Sequence, residues 1–489
     1  MHVIMRICTY QTVTTDSKGK NILGKVKWLR VVLDEGHTIR NPNTQMTKAV
    51  LGLQTQRKWV LTGTPIQNSL RDLWTLVLFL KIDPFTARDI WQRAIERPLS
   101  GGSEYALKRV QHLMGHIALR RMKTQVVGGK PLVQLPARNV YLETLQLSED
   151  ERRTYDTMAQ EGKLIISRYF RQGTLLHHYG EVLAILMRLR QLCCHPFLIA
   201  NAAKLAVQSQ ELSGQMDSSL PAELREKLVQ SLLQVLNSGS DEECSICLDP
   251  LNTPVITRCV HVFCKPCIER VIQTEGEGAN CPLCRGKLER NELIPVPENT
   301  EEEEFTIEGP WQSSAKVDAL MKALIQQRKD DPTIKSIVVS QFTSFLTVLE
   351  TPLKAAGFKF ARLDGTMTAA KRTQAIEQFS DLDPRAPTIF LLSLKAGGMG
   401  LNLTAASRVF LMDPAWNQAS EEQCFDRCHR LGQTKDVVIT KYVVKDSVEE
   451  RMLELQEKKR KLMQGAFGKK QTAEQRRETR IADIKTLFS

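Results

Sequence analysis

The chain has 489 residues, a formal net charge of +12, 42% hydrophobic residues and 12 cysteines. A length of this kind predicts about two to four domains, and no apolar run is long enough to span a bilayer. The basic balance favours a polyanionic partner such as nucleic acid, while a large chain with no leader pattern after Met1 argues against an extracellular disulfide scaffold and fits a reducing cytosol or nucleus.

In chain order, Trp28 to Leu33 is a valine-rich apolar run whose simplest form is a buried parallel strand, and it runs into Asp34-Glu35-Gly36-His37. In a doubly wound sheet, ligands bind beyond the carboxyl ends of strands, where adjacent carboxylates can hold magnesium and activate a water. An Asp-Glu pair alone is common and reads equally as a solvated strand end. A second strand, Trp59 to Leu61, feeds Thr62-Gly63-Thr64-Pro65-Ile66-Gln67-Asn68. From Pro84 to about Leu236 the pattern turns helical. Ser148 is an N-cap candidate before Glu149, and Leu183, Leu186, Met187 and Leu189 line an amphipathic helix that leads into Cys193-Cys194-His195-Pro196. That last run reads as helix packing, not as a metal site. Ser238 to Glu243 forms a short acidic linker.

The next stretch carries Cys244, Cys247, Cys259, His261, Cys264, Cys267, Cys281 and Cys284 in the order Cys-x2-Cys-x11-Cys-x-His-x2-Cys-x2-Cys-x13-Cys-x2-Cys. Thiolate and imidazole are the ligands that tetrahedral structural zinc prefers, and eight of them make two closed sites with no open position for Lewis-acid chemistry. The spacing resembles the RING finger. The resemblance implies that Cys244, Cys247, Cys264 and Cys267 share one zinc, and Cys259, His261, Cys281 and Cys284 the other. It also implies docking of a ubiquitin-conjugating enzyme on Ile246, Pro282 and Leu283, with Arg285 reaching the ubiquitin thioester. Packing around the metals is the plainer role for Ile246 and Leu283.

Beyond Arg285, Pro295, Pro297 and the run Glu301 to Glu304 mark an exposed linker. Strands are then expected at Ile337 to Ser340, Thr388 to Leu392, Val409 to Met412 and Val437 to Val444, alternating with helices as in a second parallel sheet. The turn Lys395-Ala396-Gly397-Gly398-Met399-Gly400 lets backbone amides of Gly398 and Gly400 approach phosphate, although glycines at strand ends also serve ordinary turns. Asp413-Pro414-Ala415-Trp416-Asn417 follows. If Gln423 to Arg430 is helical, then Gln423, Arg427 and Arg430 share one face, where paired guanidiniums can grip phosphate or simply form surface ion pairs. From Ser447 a helix is expected with Val448, Met452 and Leu455 on one face, ending in the basic cluster Lys458 to Lys461.

These motifs in this order resemble the SWI/SNF-related branch of helicase superfamily two, with a RING finger set inside the motor. The resemblance implies an α/β fold of two RecA-like lobes, the first incomplete, with a helical protrusion and the zinc-binding insertion. It places the distal part of the first lobe at 1–83, the protrusion at 84–240, the RING finger at 241–287, a linker at 288–312, the second lobe at 313–465 and a basic tail at 466–489. Asp34 then positions magnesium with ATP, Glu35 polarises the attacking water, and Thr62 and Thr64 couple nucleotide state to DNA contacts. Gly398, Gly400 and Gln423 line the nucleotide, and Arg427 and Arg430 act as arginine fingers. His37 links neighbouring motifs. The implied partners are double-stranded DNA in chromatin, a ubiquitin-conjugating enzyme and ubiquitin, in the nucleus.

One departure stands against this. No Gly-Lys in the chain is followed by Ser or Thr, so the phosphate-cradling P-loop is missing, and the chain is expected to be the carboxyl-terminal part of a longer protein, a short isoform or an incomplete gene product. Two functions follow: a DNA-dependent ATP-driven translocase joined to a RING-type ubiquitin ligase, or a zinc-dependent ligase or adaptor on an ATPase-dead scaffold.

Overall fold

The computed structural model describes residues 5–63, 70–100, 104–119, 121, 123, 125–175, 179–199, 244, 246, 253–259, 261–282, 286–288, 293–295, 311–365, 367, 369–381, 383–397, 400–465, 484 and 486–487. Two compact units are present, one from residues 1–119, 238–296 and 466–472, the other from the remainder.

The first unit opens with α1 (Tyr10–Lys18), whose N-cap Thr9 accepts from the Thr12 amide, then β1 (Trp28–Leu33). Next come α2 (Gln45–Leu51), capped by Thr44, β2 (Thr55–Val60), α3 (Leu70–Leu80) and α4 (Glu104–Ile117). β1 and β2 are parallel, Val32 opposite Trp59 and Leu33 opposite Val60. β2 starts earlier than the apolar run predicts, because the parallel ladder recruits the polar Thr55 to Lys58. Leu33, Val13, Ile39, Val50, Leu76 and Phe79 form the core on one face of this pair. Val32 and Trp59 stay 54% and 59% exposed.

A strand, β3 (Arg138–Leu145), lies within the stretch expected to be helical. The helical expectation is corrected there: β3 pairs along its whole length with a strand far downstream, and that backbone ladder overrides a sequence with no alternating pattern. The helices α5 (Glu149–Arg171) and α6 (Tyr179–Cys194) follow. Ser148 caps α5 in a full capping box: Glu151 N donates to Ser148 Oγ and the Ser148 amide donates to Glu151 Oε2 at 2.9 Å. The expected stretch up to Leu236 lies outside the described residues beyond Ile199, as do the acidic linker and the Glu301 to Glu304 run.

The zinc-type module consists of β4 (Pro254–Ile256), β5 (Val262–Cys264), α7 (Lys265–Glu275) and β6 (Ile294–Pro295). Its strands are antiparallel in the order β5-β4-β6, and Val255, Phe263, Ile268 and Leu288 form a small core.

The second unit continues with α8 (Ala315–Asp330), β7 (Ser336–Ser340), α9 (Thr343–Ala355), β8 (Phe360–Leu363) and α10 (Ala369–Ser380). It ends with β9 (Ile389–Ser393), β10 (Arg408–Leu411), α11 (Gln418–Phe425), β11 (Val437–Val444) and α12 (Val448–Gly465). Six parallel strands run in the order β8-β9-β7-β10-β11-β3. β7 and β9 are buried at every position, as expected for strands covered on both faces. The four expected strands fall within a residue of those observed, and β8 is added. Val448, Met452 and Leu455 of α12 pack on α5 and α6 as one buried face.

Between Ile199 and Trp311 the chain leaves this unit to form the zinc-type module. Its two ends are fastened together: Ser314 Oγ donates to the Cys194 carbonyl at 2.8 Å, and His195 Nε2 donates to the Gln312 carbonyl at 3.0 Å. The Phe197 amide donates to His195 Nδ1 at 3.1 Å, so both ring nitrogens serve backbone groups. Burial holds the His195 imidazole below its ordinary pKa, in the neutral form that this pairing needs.

Candidate nucleotide and metal sites

β1 and β2 deliver two loops side by side. The Gly36 amide donates to the Leu61 carbonyl at 2.9 Å and the Leu61 amide to the Leu33 carbonyl at 2.8 Å, which continues the ladder past the strand ends. Glu35 turns the chain with a positive φ of 48°. A Cβ on Gly36 would lie 2.3 Å from Val60 Cγ1, so this position admits only glycine at the present spacing. Asp34 is exposed, its Oδ1 accepting from the Glu35 amide at 3.0 Å, and the Tyr10 hydroxyl donates to its carbonyl at 2.7 Å. Burial and the neighbouring Asp34 and Glu35 carboxylates raise the Tyr10 phenol far above its ordinary value, which keeps that donor protonated.

His37 joins the two loops. Its Nδ1 is 3.2 Å from Thr62 Oγ1 and 3.4 Å from Glu35 Oε2, the linking role expected of it. Burial is the largest influence on this imidazole and lowers its pKa, against the pull of Glu35. Thr64 lies outside the described residues.

In the second unit the loop Asp413 to Asn417 is held from several sides. The fully buried Asp413 carboxylate accepts from Ser340 Oγ and Gln341 Nε2, and the Arg190 guanidinium stands 3.8 Å away. Arg190 donates to the Pro414 carbonyl at 2.6 Å, with its cation over the rings of Phe342 and Trp416. Glu421, also buried, accepts from the Ala415 amide at 2.8 Å and from Lys441 Nζ at 2.6 Å. Sequence reasoning singled out the loop and missed Arg190 and Glu421. A charged residue on the apolar stripe of α6 was the available signal for the first.

The expected helix over Gln423 to Arg430 is corrected. α11 stops at Phe425, and residues 426–432 form turns. The helix ends because the Arg427 carbonyl accepts from the Leu403 amide at 3.0 Å, while Gln433 Nε2 donates to the carbonyls of Thr404, Ala406 and Cys428. Both arginines nevertheless turn the same way. Arg427 Nε donates to the Gly397 carbonyl at 3.1 Å, and Arg430 donates to the Leu401 carbonyl at 3.5 Å, so they meet the glycine-bearing segment. Gly400 is exposed in that segment, Gln423 is half-buried on α11, and Gly398 lies outside the described residues.

The cysteines and histidine of the module fall into two groups. The ligand atoms of Cys244, Cys264 and Cys267 lie within 4.8 Å of one another, as do those of Cys259, His261 and Cys281. The groups alternate along the chain as the interleaved pairing requires. Each lacks one expected member, Cys247 and Cys284, which lie outside the described residues together with Leu283 and Arg285. The donor chemistry fits zinc: the Cys264 amide points at Cys244 Sγ at 3.3 Å, Thr257 Oγ1 lies 3.1 Å from Cys259 Sγ, and burial favours the neutral His261 imidazole. Ile246 is half-buried against the module core and Pro282 is exposed. Cys193, Cys194, Cys424 and Cys428 are buried away from both groups, and Cys8 is exposed.

Comparison with known families gives three matches. Residues 2–198 match the SNF2-related domain, 315–432 the helicase conserved C-terminal domain and 244–284 the C3HC4-type (RING) zinc finger. The chain carries an SNF2-related domain and a helicase conserved C-terminal domain with a RING finger between them. The RING match begins and ends on Cys244 and Cys284, the outermost expected ligands. The chain is 54% identical to the helicase-like transcription factor of Homo sapiens over 99% of its own length and 48% of that protein's. It is 54% identical to the protein of the same name from Mus musculus, with 99% and 48% covered, and 38% identical to the DNA repair protein RAD5A of Arabidopsis thaliana, with 99% and 48% covered. It spans about half the length of the curated relatives it matches.

Proposed function

We propose that this chain joins an ATP-driven motor that tracks along double-stranded DNA to a RING-type ubiquitin ligase, acting in the nucleus on chromatin, in transcription or in replication-fork repair. The observation that carries the motor reading is the position of His37, between Glu35 and Thr62 at the ends of adjacent parallel strands. A carboxylate that senses the nucleotide is thereby wired to the threonine loop that the family uses to couple nucleotide state to DNA. Asp34 is the residue that would hold a magnesium ion, which supplies charge neutralisation at the phosphates. Glu35 orients and polarises the attacking water. Arg427 and Arg430 stabilise charge developing on the transferred phosphoryl group, a contribution of about a thousandfold or more in rate. Gly400, Gly398 and Gln423 line the nucleotide, and Thr64 shares the coupling role of Thr62. The names of the relatives, a transcription factor and a DNA repair protein, agree with such a partner.

The ligase half rests on the two interleaved ligand groups. Zinc at those groups supplies closed, structural coordination that replaces the core so small a module cannot bury. Ile246, Pro282 and Leu283 dock a ubiquitin-conjugating enzyme, and Arg285 reaches its ubiquitin thioester. The domain boundaries given above follow this division, with β3 reassigned to the sheet of the second lobe.

Two assays test the pair of activities, the first on the chain joined to an upstream segment that carries Gly-x-Gly-Lys-Thr, the second on the purified chain itself. DNA-stimulated ATP hydrolysis should be present in the P-loop-bearing protein and lost in Glu35→Gln, and ubiquitin chain formation should be lost in Ile246→Ala while surviving Glu35→Gln. No DNA-stimulated turnover in the P-loop-bearing protein removes the motor reading and leaves the ligase alone; chain formation undiminished by Ile246→Ala removes the docking surface.

A further inference from the structure

The turn that carries Arg427 and Arg430 follows directly on α11, and it is held by further contacts besides those to the glycine-bearing segment. Lys123 Nζ lies 2.7 Å from Asp426 Oδ1 and donates to the His429 carbonyl at 2.6 Å. The same stretch of chain adds three more contacts. The Pro136 carbonyl accepts from His429 Nε2 at 2.9 Å, the Ala137 amide donates to Asp436 Oδ1 at 2.9 Å, and Arg138 donates to Glu422 Oε2 at 2.6 Å. Residues 422–436 are thus held by Lys123 and residues 136–138, while Arg427 and Arg430 reach the carbonyls of Gly397 and Leu401.

We infer that Lys123 is a positioning residue for the two arginines. One ammonium bridges the residue before Arg427 and the residue before Arg430, so it fixes the spacing of both guanidiniums through the backbone that bears them. An ammonium with several donors suits this task, since a carboxylate and a backbone carbonyl both need a proton and no planar match is required.

The catalytic value of this position rests on the motor reading, whereas the brace itself does not. The test uses the full chain with Lys123→Met, Lys123→Arg and Asp426→Asn. Hydrogen exchange of the Arg427, Cys428, His429 and Gln433 amides, bonded to the carbonyls of Cys424, Phe425 and Arg430, should quicken about fivefold or more in Lys123→Met and recover in Lys123→Arg, with exchange in β7 and β9 unchanged. In the chain joined to an upstream P-loop segment, DNA-stimulated kcat should fall about tenfold in Lys123→Met with KM for ATP unchanged, the pattern of misplaced catalytic groups. Lys123→Met and Asp426→Asn together should be no worse than the first alone. Unchanged exchange in the turn of Lys123→Met overturns the brace, whatever the turnover. Faster exchange with kcat intact overturns the positioning role, and a P-loop-bearing wild-type protein without turnover overturns it too, while exchange still decides the brace.

Discussion

Lys316 Nζ stands 2.6 Å from Glu449 Oε1 with both side chains fully buried, an ion pair that ties the first turn of α8 to the first turn of α12. Burial alone would pull the lysine pKa down, but the Glu449 carboxylate beside it outweighs that and keeps the ammonium charged. The ammonium also donates to the Met412 carbonyl, and the other carboxylate oxygen accepts from the Val444 amide at 3.0 Å. Removing one partner strands a buried charge. Lys316→Met should destabilise the second unit by roughly 3 to 5 kcal/mol, and adding Glu449→Gln should return part of that loss. Urea denaturation of the single and double variants measures it; a loss near zero for Lys316→Met means that the pair is not buried in solution.

Gly36 makes a geometric prediction. Its Cβ position overlaps Val60 Cγ1, so Gly36→Ala forces β2 away from the acidic loop at a cost of about 1 to 3 kcal/mol. Val60→Ala removes the obstructing methyl and should rescue stability in the double variant. Thermal unfolding of the four proteins gives the comparison, and a double variant as weak as the sum of the singles argues against the overlap.

The interleaved zinc groups predict a counting rule. The wild-type chain should bind two zinc ions, one per group. Replacing Cys244 and Cys264 by serine removes ligands from one group and should leave a single ion; replacing Cys264 and Cys281 breaks both groups and should leave none. Zinc analysis of the purified proteins separates this from sequential pairing, which predicts a different pair of losses.

His195 predicts a pH dependence. Its pKa is lowered by burial from the ordinary 6.5, so the unfolded chain takes up a proton first as pH falls. The contribution to stability is therefore complete above the ordinary value and is lost as pH drops through it toward the lower folded value. The urea midpoint should decline between about pH 7.5 and about pH 5, and less steeply in His195→Gln, whose amide keeps a donor for Gln312 without titrating. Parallel slopes in the two proteins would show that His195 is not the group responsible.

Part of the site was legible because its loops follow apolar runs that form strands. β1 and β11 match their expected bounds, but β1 is not the buried strand expected: only Leu33 is buried, because one face of the β1–β2 pair is left uncovered and Leu29 and Val32 stay exposed. β3 was not legible. Val140, Tyr141 and Leu142 are each about half exposed, so neither face shows a period, and what makes the segment a strand is a backbone ladder to residues almost 300 positions away. The arginine turn shows the same limit at close range. Its composition permits a helix, but the Arg427 carbonyl is taken by Leu403 and the Gln433 amide gathers three more carbonyls, contacts that exist only after the sheet has formed. The grouping of Cys244, Cys264 and Cys267 apart from Cys259, His261 and Cys281 needed no such context, because it follows the ligand spacing that resembles the RING finger.

The two hydrogen bonds that tie Cys194 to Ser314 and His195 to Gln312 give the stretch between them the character of a cassette. Every strand of the six-stranded sheet lies outside it, so a short splice from Ile199 to Trp311 alters no strand order and no register. The same stem offers protein engineers a graft point, where a different module could replace the insertion while the order of the sheet is kept.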